Sequence, residues 1–556
     1  MLALFSHNNE LSKLFISLII IYYFSLLSSC NSENARQNGR IIPPKTLKYK
    51  TLLSKYAGLN EILEIRGGSE NLSRQSFPSI PQKTNSPNVF SDNVILDRPP
   101  APSLDLVGEA PSSTEEDEDQ MEPGHCSTTT AIVNMVADLC PHGMLPLAYG
   151  LGAAGGTGKL VGAGLLLSFF AVSAYTLISL GRASQMTKQT SLSGVWAKTI
   201  GPESTWVVDA SVSALCYGCC VFYSAFIGDI FSALAVAAKL PSYFTQRWLV
   251  LMALSVVPVL PLCLLRDLSA LQVTSVGGVF AIAYTLGFVI LRALDGTYQP
   301  GGMFNLAMKE SLRPNHDPAL ALSHLSPGTL ILLNMACVAF LCHYNGVGYY
   351  VELRRRTVKN FSKVTTTGMA IALVVFLLMM GFGFSTFGYS AQALLLNNYH
   401  KSEDPLATLA RAATGFAILC GYPLMFAGFK NAFFPALSTF FSKFSDTGRL
   451  KSKVLTDVRL QNMIIIVILC SITAIATQCT EEDVGLVIGL IGSLLGSFCC
   501  FIMPAMINIR ASQLAPKENR FSLMEILANR LLIVFGLFFA VFGTYTTFKD
   551  GASHSS

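Results

Sequence analysis

The sequence predicts an all-α integral membrane protein of about eleven transmembrane helices, and three observations carry that prediction. The 556 residues are 51% hydrophobic and only 13% charged, with a mean hydropathy of +0.48, whereas soluble domains are close to a quarter charged. Apolar windows long enough to cross a ~30 Å hydrocarbon core recur from about residue 127 to the C-terminus. The loops between those windows alternate in Lys and Arg content, as loops on opposite faces of a bilayer do. The formal charge of +5 lies mostly between apolar runs, so it reflects topology and points to no nucleic-acid surface.

Residues 1–29 carry Lys13 and then an apolar stretch from Leu14 to about Leu27, short for a span and suited to a signal-peptide core or signal anchor. Residues 30–126 shift to Ser, Pro, Asn, Arg and Lys, followed by the acidic run Glu115-Glu-Asp-Glu-Asp119. Too few apolar residues remain there to build a core, so this tail is expected to be disordered. Its early part, with Arg36, Arg40, Lys45, Lys48, Lys50 and Lys55, resembles a transit peptide. A plain basic linker fits the same residues.

The transmembrane domain is expected over 127–548, with a short C-terminal tail at 549–556. Its helices are placed at 131–151, 159–181, 206–234, 248–265, 272–293, 328–350, 367–388, 408–429, 460–478, 485–508 and 528–547. Backbone polar groups cannot face lipid unpaired, so these segments must be helices packed together. Basic loops follow helix 2 (Arg182, Lys188, Lys198), helix 6 (Arg354-Arg355-Arg356, Lys359, Lys363), helix 8 (Lys443, Arg449, Lys451, Lys453) and helix 10 (Lys517, Arg520). The opposite loops carry Glu403-Asp404 and Glu481-Glu482-Asp483. Helix 1 therefore starts on the cytoplasmic side and the C-terminus lies outside. Sequons occur at Asn71 and Asn360, in the tail and a basic loop, so surface glycosylation is not supported. Most of the fourteen Cys lie within apolar runs and read as small buried residues. The cluster Cys216-Tyr-Gly-Cys219-Cys220 lacks a second set of ligands for a metal.

Two helices are interrupted. Helix 1 contains Cys140-Pro141-His142-Gly143-Met-Leu-Pro146, and helix 6 contains His343-Tyr344-Asn345-Gly346-Val-Gly348. A single Pro kink is common, but two breaks five helices apart are what inverted repeats of helices 1–5 and 6–10 produce. A half-helix after Gly143 presents free N–H groups to a carboxylate, which selects Gly143, Met144 and Leu145. Asn134 below them offers an amide to an ammonium or a metal cation. Charges at mid-bilayer cost at least about 2.5 kcal/mol and tend to be functional, which singles out Asp138, His142, Asp229 and His343. Asp138 and His142 are four apart and share a face if the helix persists to Pro141. They read either as a proton-carrying couple or as a neutral hydrogen-bonded pair. Asp209 and Arg411 read as anchors at helix ends.

These residues resemble the amino acid/auxin permease family, particularly its branch of sodium-coupled neutral amino acid transporters. Helix 1, from Asn134 through Gly143 to Tyr149 and Gly155, follows the family pattern. So do Pro261 to Arg266-Asp-Leu with Thr274-Ser275, Phe340-Leu-Cys342-His343 with Tyr350-Val-Glu352-Leu353, Phe382-Gly383 to Gly388, Arg411 with Pro423, and Gly485 to Pro504. The resemblance covers about 127–548. It implies a five-plus-five inverted-repeat bundle, LeuT/APC-like, with one extra C-terminal helix, and transport of amino acids coupled to sodium or protons. By position it makes Asn134 the helix 1 asparagine linked to sodium. Together with the two breaks and the buried ionisable groups, the substrate contacts expected are Gly143, Met144, Leu145, Tyr149, Asn345 and Gly346, and ion or proton coupling is expected at Asn134, Asp138, His142 and His343.

That branch places Thr hydroxyls before the helix 8 proline, where this chain has Leu419, Cys420 and Gly421, and Pro141 replaces the first Gly of the helix 1 pair. Proton coupling, or uncoupled exchange, is therefore expected ahead of sodium coupling, with small neutral amino acids as substrates. No cofactor is expected beyond the transported proton or sodium ion, and the partners expected are the amino acid and the bilayer, around a monomer. No metal-ligand helix, Gly-x-Ser-x-Gly or phosphate loop points to an enzyme. An amino-acid sensor of the same fold is the competing reading.

Overall fold

The computed structural model describes residues 124–265, 271–316, 324–444, 456–516 and 520–554. The expectations for residues 1–29 and 30–123, for Arg266-Asp-Leu, and for the basic residues Arg449, Lys451, Lys453 and Lys517 lie outside the described residues. Among those described, ten helices are long and apolar enough to cross a bilayer, and the pair Thr128–Gly143 and Leu147–Gly155, bent by 49°, makes an eleventh span. Every predicted helix is present, and apart from two isolated bridges the described residues form no strand.

Spans 2 to 11 run Lys159–Thr187, Pro202–Ala237, Arg247–Leu264, Ser275–Leu294, Gly328–Glu352, Val358–Phe387, Pro405–Phe441, Val458–Gln478, Asp483–Leu514 and Leu523–Gly551. Local chemistry sets several starts. Ser127 Oγ accepts from Thr130 N at the head of span 1, Thr357 caps span 7, and Thr480 with Asp483 forms a reciprocal capping box on span 10. Two ends differ from the sequence reading. The helix of span 8 continues to Phe444, about fifteen residues beyond 429, because Lys430 and Asn431 interrupt only the apolar run and Pro435 is accommodated within the helix. The helix of span 11 continues to His554, so most of the expected C-terminal tail is its last turns.

Packing follows the two-repeat pattern. Spans 3 and 8 pack against each other most extensively, and span 2 lies against span 7. Span 1 meets span 5 as span 6 meets span 10, and span 1 meets span 7 as span 6 meets span 2. Each contact maps onto another when spans 1–5 are exchanged for spans 6–10. Span 11 packs on spans 6 and 10, outside that exchange.

Contacts between span ends sort them into two sets, as the loop charges require. On the basic side, Arg182 at the end of span 2 pairs with Glu525 at the start of span 11 (2.7 Å), and Thr128 bonds Asn360. On the opposite side, Arg292 pairs with fully buried Asp404 (2.6 Å), and Arg247 pairs with Asp229 while donating to the Ala476 carbonyl. Arg411 is also buried there, and donates to the carbonyls of Leu396, Tyr399 and His400. It anchors a loop from inside its helix, six residues past the helix start. Asp209 accepts from Ser193 in the short helix Leu192–Thr199 that joins spans 2 and 3 on the basic side.

Candidate functional site

The chain of span 1 does not bend at Pro141. The first half stays helical through Gly143, with Met144 N still closing on the Cys140 carbonyl (3.2 Å), and the bend falls at Met144–Pro146. Pro141 nevertheless removes the N–H that would close on the Ala137 carbonyl. That freed carbonyl faces span 8, where a Cβ on Gly421 would lie 3.8 Å from it. Of the three N–H groups expected to be free, Leu145 alone makes no backbone hydrogen bond. Gly143 serves packing instead, since a Cβ there would lie 2.8 Å from Ala339 Cα.

Span 6 breaks after Ala339. A single 3-10 turn, His343–Asn345, leads into the second half, Gly346–Glu352. Gly346 presses on span 2, with Leu177 2.7 Å from where its Cβ would be. Asn345 is half-buried, and no hydrogen bond of its side chain occurs among the described residues.

Polar groups converge between the two breaks. Asp138 is buried, and its carboxylate accepts from Tyr344 (2.8 Å) and Tyr349 (2.6 Å), both on span 6. His142 turns to span 3 instead, with Nδ1 2.5 Å from the Tyr223 hydroxyl. Its Nε2 is buried without a hydrogen-bond partner among the described residues. The expected Asp138–His142 couple is therefore not formed, because the two side chains have separate partners on different spans. Nearby, Ser224 and Tyr422 hydroxyls are 3.1 Å apart, joining spans 3 and 8. Asn134 sits one turn below Asp138 with its Oδ1 buried and unpartnered. His343 lies elsewhere, between Thr176 on span 2 (2.9 Å) and Cys500 on span 10 (3.3 Å). Sequence reasoning missed Tyr223, Tyr344 and Tyr349. Only the closeness of Tyr344 and Tyr349 to the break hinted at them.

The family model of the transmembrane amino acid transporter proteins matches residues 124–549. The chain belongs to that family. It is a multi-pass membrane protein of a transporter family and not an enzyme. Among curated relatives of this family member, sodium-coupled neutral amino acid transporter 7 of Xenopus laevis is 24% identical over 438 residues, covering 76% of this chain and 90% of the relative. The human protein of the same name is 24% identical over 440 residues, covering 77% and 88%. A Rattus norvegicus relative numbered 11 in that naming series is 25% identical over 311 residues, and the match spans 63% of it, under two thirds. Two solved structures are also similar: a Na+-coupled sialic acid symporter (TM-score 0.46, 15% identity, 78% of this chain and 90% of that one) and MhsT in complex with L-phenylalanine (0.42, 16%, 77% and 100%).

One expected substrate contact of this transporter-family chain is otherwise engaged. Tyr149, on the second half of span 1, donates to Asp550 of span 11 (2.9 Å) and covers Gly485 of span 10. Its hydroxyl ties the extra helix to the repeat. A hydrogen bond to a charged group contributes about 1.5 kcal/mol or more, so Tyr149→Phe is expected to lower thermal stability in detergent by about that much with transport retained. Uptake per folded molecule, measured beside the melting curve, separates this from a substrate role.

Proposed function

We propose that this protein is a secondary active carrier of small neutral amino acids driven by a cation gradient. The observation that carries the reading is Asp138, a buried carboxylate on a broken span whose hydrogen-bond partners are two tyrosines and no basic side chain. Such a group changes the charge of the core when a cation meets it, which is what coupling requires. Family membership and the names of the relatives support amino acids as cargo.

Sodium is the first candidate for the cation. Hard cations take oxygen ligands, and Asn134 Oδ1, the freed Ala137 carbonyl and Asp138 lie within about one turn of one half-helix. The relatives are named sodium-coupled, and they lend no support to the proton coupling expected from the missing span 8 hydroxyls. Asp138 alone favours the proton as a second reading. The substrate carboxylate is assigned to the open N–H groups from Leu145 onward, and the Asn345 amide is assigned to its polar end. Met144 borders this site, whereas Gly143 and Gly346 act by close packing, and His142 and His343 by holding spans 3, 2 and 10.

The test is uptake of labelled alanine and glutamine by proteoliposomes holding the full chain, with sodium and pH gradients imposed separately. Uptake driven by sodium supports the first reading, and uptake driven by an acidic exterior supports the second. Retained binding with no uptake under either gradient would make the protein a sensor.

A further inference from the structure

Span 11 has no counterpart under exchange of the repeats, and where it meets spans 6 and 10 the packing is polar. Asn334 of span 6, Ser493 of span 10 and Thr544 of span 11 are fully buried, and Thr547 nearly so. Asn334 Nδ2 donates to the Gly543 carbonyl (3.2 Å) and to Thr547 Oγ1 (2.7 Å), while the Ser493 and Thr544 hydroxyls are 2.9 Å apart. Counted from the span ends at 1.5 Å per residue, the cluster lies about 10 Å inside the non-basic face.

The hydrogens of this cluster are committed. The Thr547 hydroxyl donates to the Gly543 carbonyl (2.8 Å), and the Ser493 hydroxyl is directed at the Leu490 carbonyl (3.4 Å), which leaves Thr544 as the donor of the Ser493–Thr544 pair. The Asn334 amide cannot be turned over, because its oxygen would then face the Gly543 carbonyl. Lone pairs are what remain. Asn334 Oδ1 is buried with no hydrogen-bond partner among the described residues. A Cβ on Gly543 would lie 2.7 Å from that oxygen and 2.9 Å from Ser493 Cβ, so the missing side chain leaves a small opening between the two. Span 10 winds as a π-helix over Ile491–Gly496 beside it, a distortion frequent at functional sites.

We propose that the junction of spans 6, 10 and 11 is a sodium site, separate from the Asn134–Asp138 region and built on Asn334 Oδ1 and the Ser493 and Thr547 hydroxyl oxygens. Hard cations take oxygen ligands. A donor set of one amide and several hydroxyls, with no carboxylate in it, is too weakly charged to strip the water from a divalent ion and suits a monovalent one. An opening the size of one missing side-chain carbon favours sodium over the larger potassium. A water molecule could donate to Asn334 Oδ1, but buried water makes about three hydrogen bonds, and the cluster has no hydrogen to give back. Asp550, one turn beyond Thr547 toward the non-basic face, is buried and accepts from Tyr149 (2.9 Å). Its charge draws a cation toward the cluster. The bound ion ties the extra helix to both helices of the second repeat that it touches.

The test is thermal unfolding of the full chain in detergent, with sodium chloride replaced stepwise by potassium or choline chloride at constant ionic strength. Sodium is expected to raise the melting temperature saturably, and potassium and choline are not. The rise should persist in Asp138→Asn, which lacks the carboxylate of the other cation region. Ser493→Ala and Asn334→Ala should each raise the half-saturating sodium concentration at least about tenfold, the scale of one lost contact to a charged group. A melting temperature indifferent to the salt would overturn the proposal and leave a buried water on Asn334. A sodium effect lost in Asp138→Asn and kept in Ser493→Ala would overturn it as well, because the ion would then belong to span 1.

Equilibrium binding of radioactive sodium counts the ions without unfolding the protein. Asp138→Asn should still bind sodium, and adding Ser493→Ala or Gly543→Ala, which fills the opening, should remove that binding. Binding retained at unchanged affinity in both double variants would overturn the site. Neither readout involves uptake, so a failure here leaves the transport reading standing, and a failure of uptake leaves this site standing.

Discussion

Asp138→Asn is expected to lower amino acid uptake at least about tenfold, a loss of about 1.4 kcal/mol in the driving step, while the protein still folds. Asparagine keeps the shape and one acceptor oxygen, so span 1 remains hydrogen-bonded to Tyr344 or Tyr349 of span 6. What disappears is the group that a cation can neutralise. A carboxylate at mid-bilayer costs at least about 2.5 kcal/mol, so replacing it should preserve or raise thermal stability, and stability and uptake would move in opposite directions. Tyr349→Phe removes one of two donors and should produce a smaller loss, roughly a few-fold, on the scale of one net hydrogen bond. His142→Ala separates the two arrangements considered for this helix. If Asp138 works through a couple with His142, both substitutions give the same loss. If Asp138 works with the tyrosines, His142→Ala acts only through Tyr223 and is the milder. Uptake per folded molecule for the three variants, with sodium and pH gradients imposed in turn, decides between them. Undiminished gradient-driven uptake by Asp138→Asn would remove this residue from the coupling mechanism.

The spans were legible because each is an apolar run of bilayer length, and nothing but helix satisfies the backbone there. Both breaks were legible in Pro141, Pro146, Gly346 and Gly348. Their exact position was not. A proline near the end of a helical turn frees a carbonyl without bending the chain, so Gly143 remained helical and the bend came later. The partners of Asp138 were hidden for a different reason. Tyr344 and Tyr349 lie about 200 residues away, and whether both reach one carboxylate depends on the single 3-10 turn between Cys342 and Gly346. Tyr149 was assigned to substrate from its place in the family pattern, but its hydroxyl is captured by Asp550, a residue that reads as tail. Gly143 and Gly346 show a similar limit: a glycine at a break signals open backbone or close packing equally well, and only the neighbouring span distinguishes them.

That distinction gives the second expected result. Gly143→Val should destabilise the protein by about 3 kcal/mol, the upper end of overpacking costs, and remove most of the monodisperse protein recovered in detergent. A Cβ at this position would lie 2.8 Å from Ala339 Cα, 3.0 Å from the Ala339 carbonyl oxygen and 2.8 Å from the Phe376 ring. The ring can turn aside, but the span 6 backbone cannot retreat without moving the whole first half of that span. Gly381 of span 7 provides the control, because apart from the adjoining backbone of its own helix no heavy atom lies within 4 Å of its would-be Cβ. Gly381→Ala should leave stability unchanged or raise it, since alanine is the better helix former by about 1 kcal/mol in water. Melting temperatures in detergent and uptake per folded molecule, measured together for Gly143→Ala and Gly143→Val, test the assignment. Graded loss of stability from Gly to Ala to Val, with uptake per folded molecule held, marks Gly143 as the contact about which the two broken spans meet. Full stability with lost uptake in Gly143→Ala would return this glycine to the substrate site, because the close approach to Ala339 would then not be what holds it as glycine.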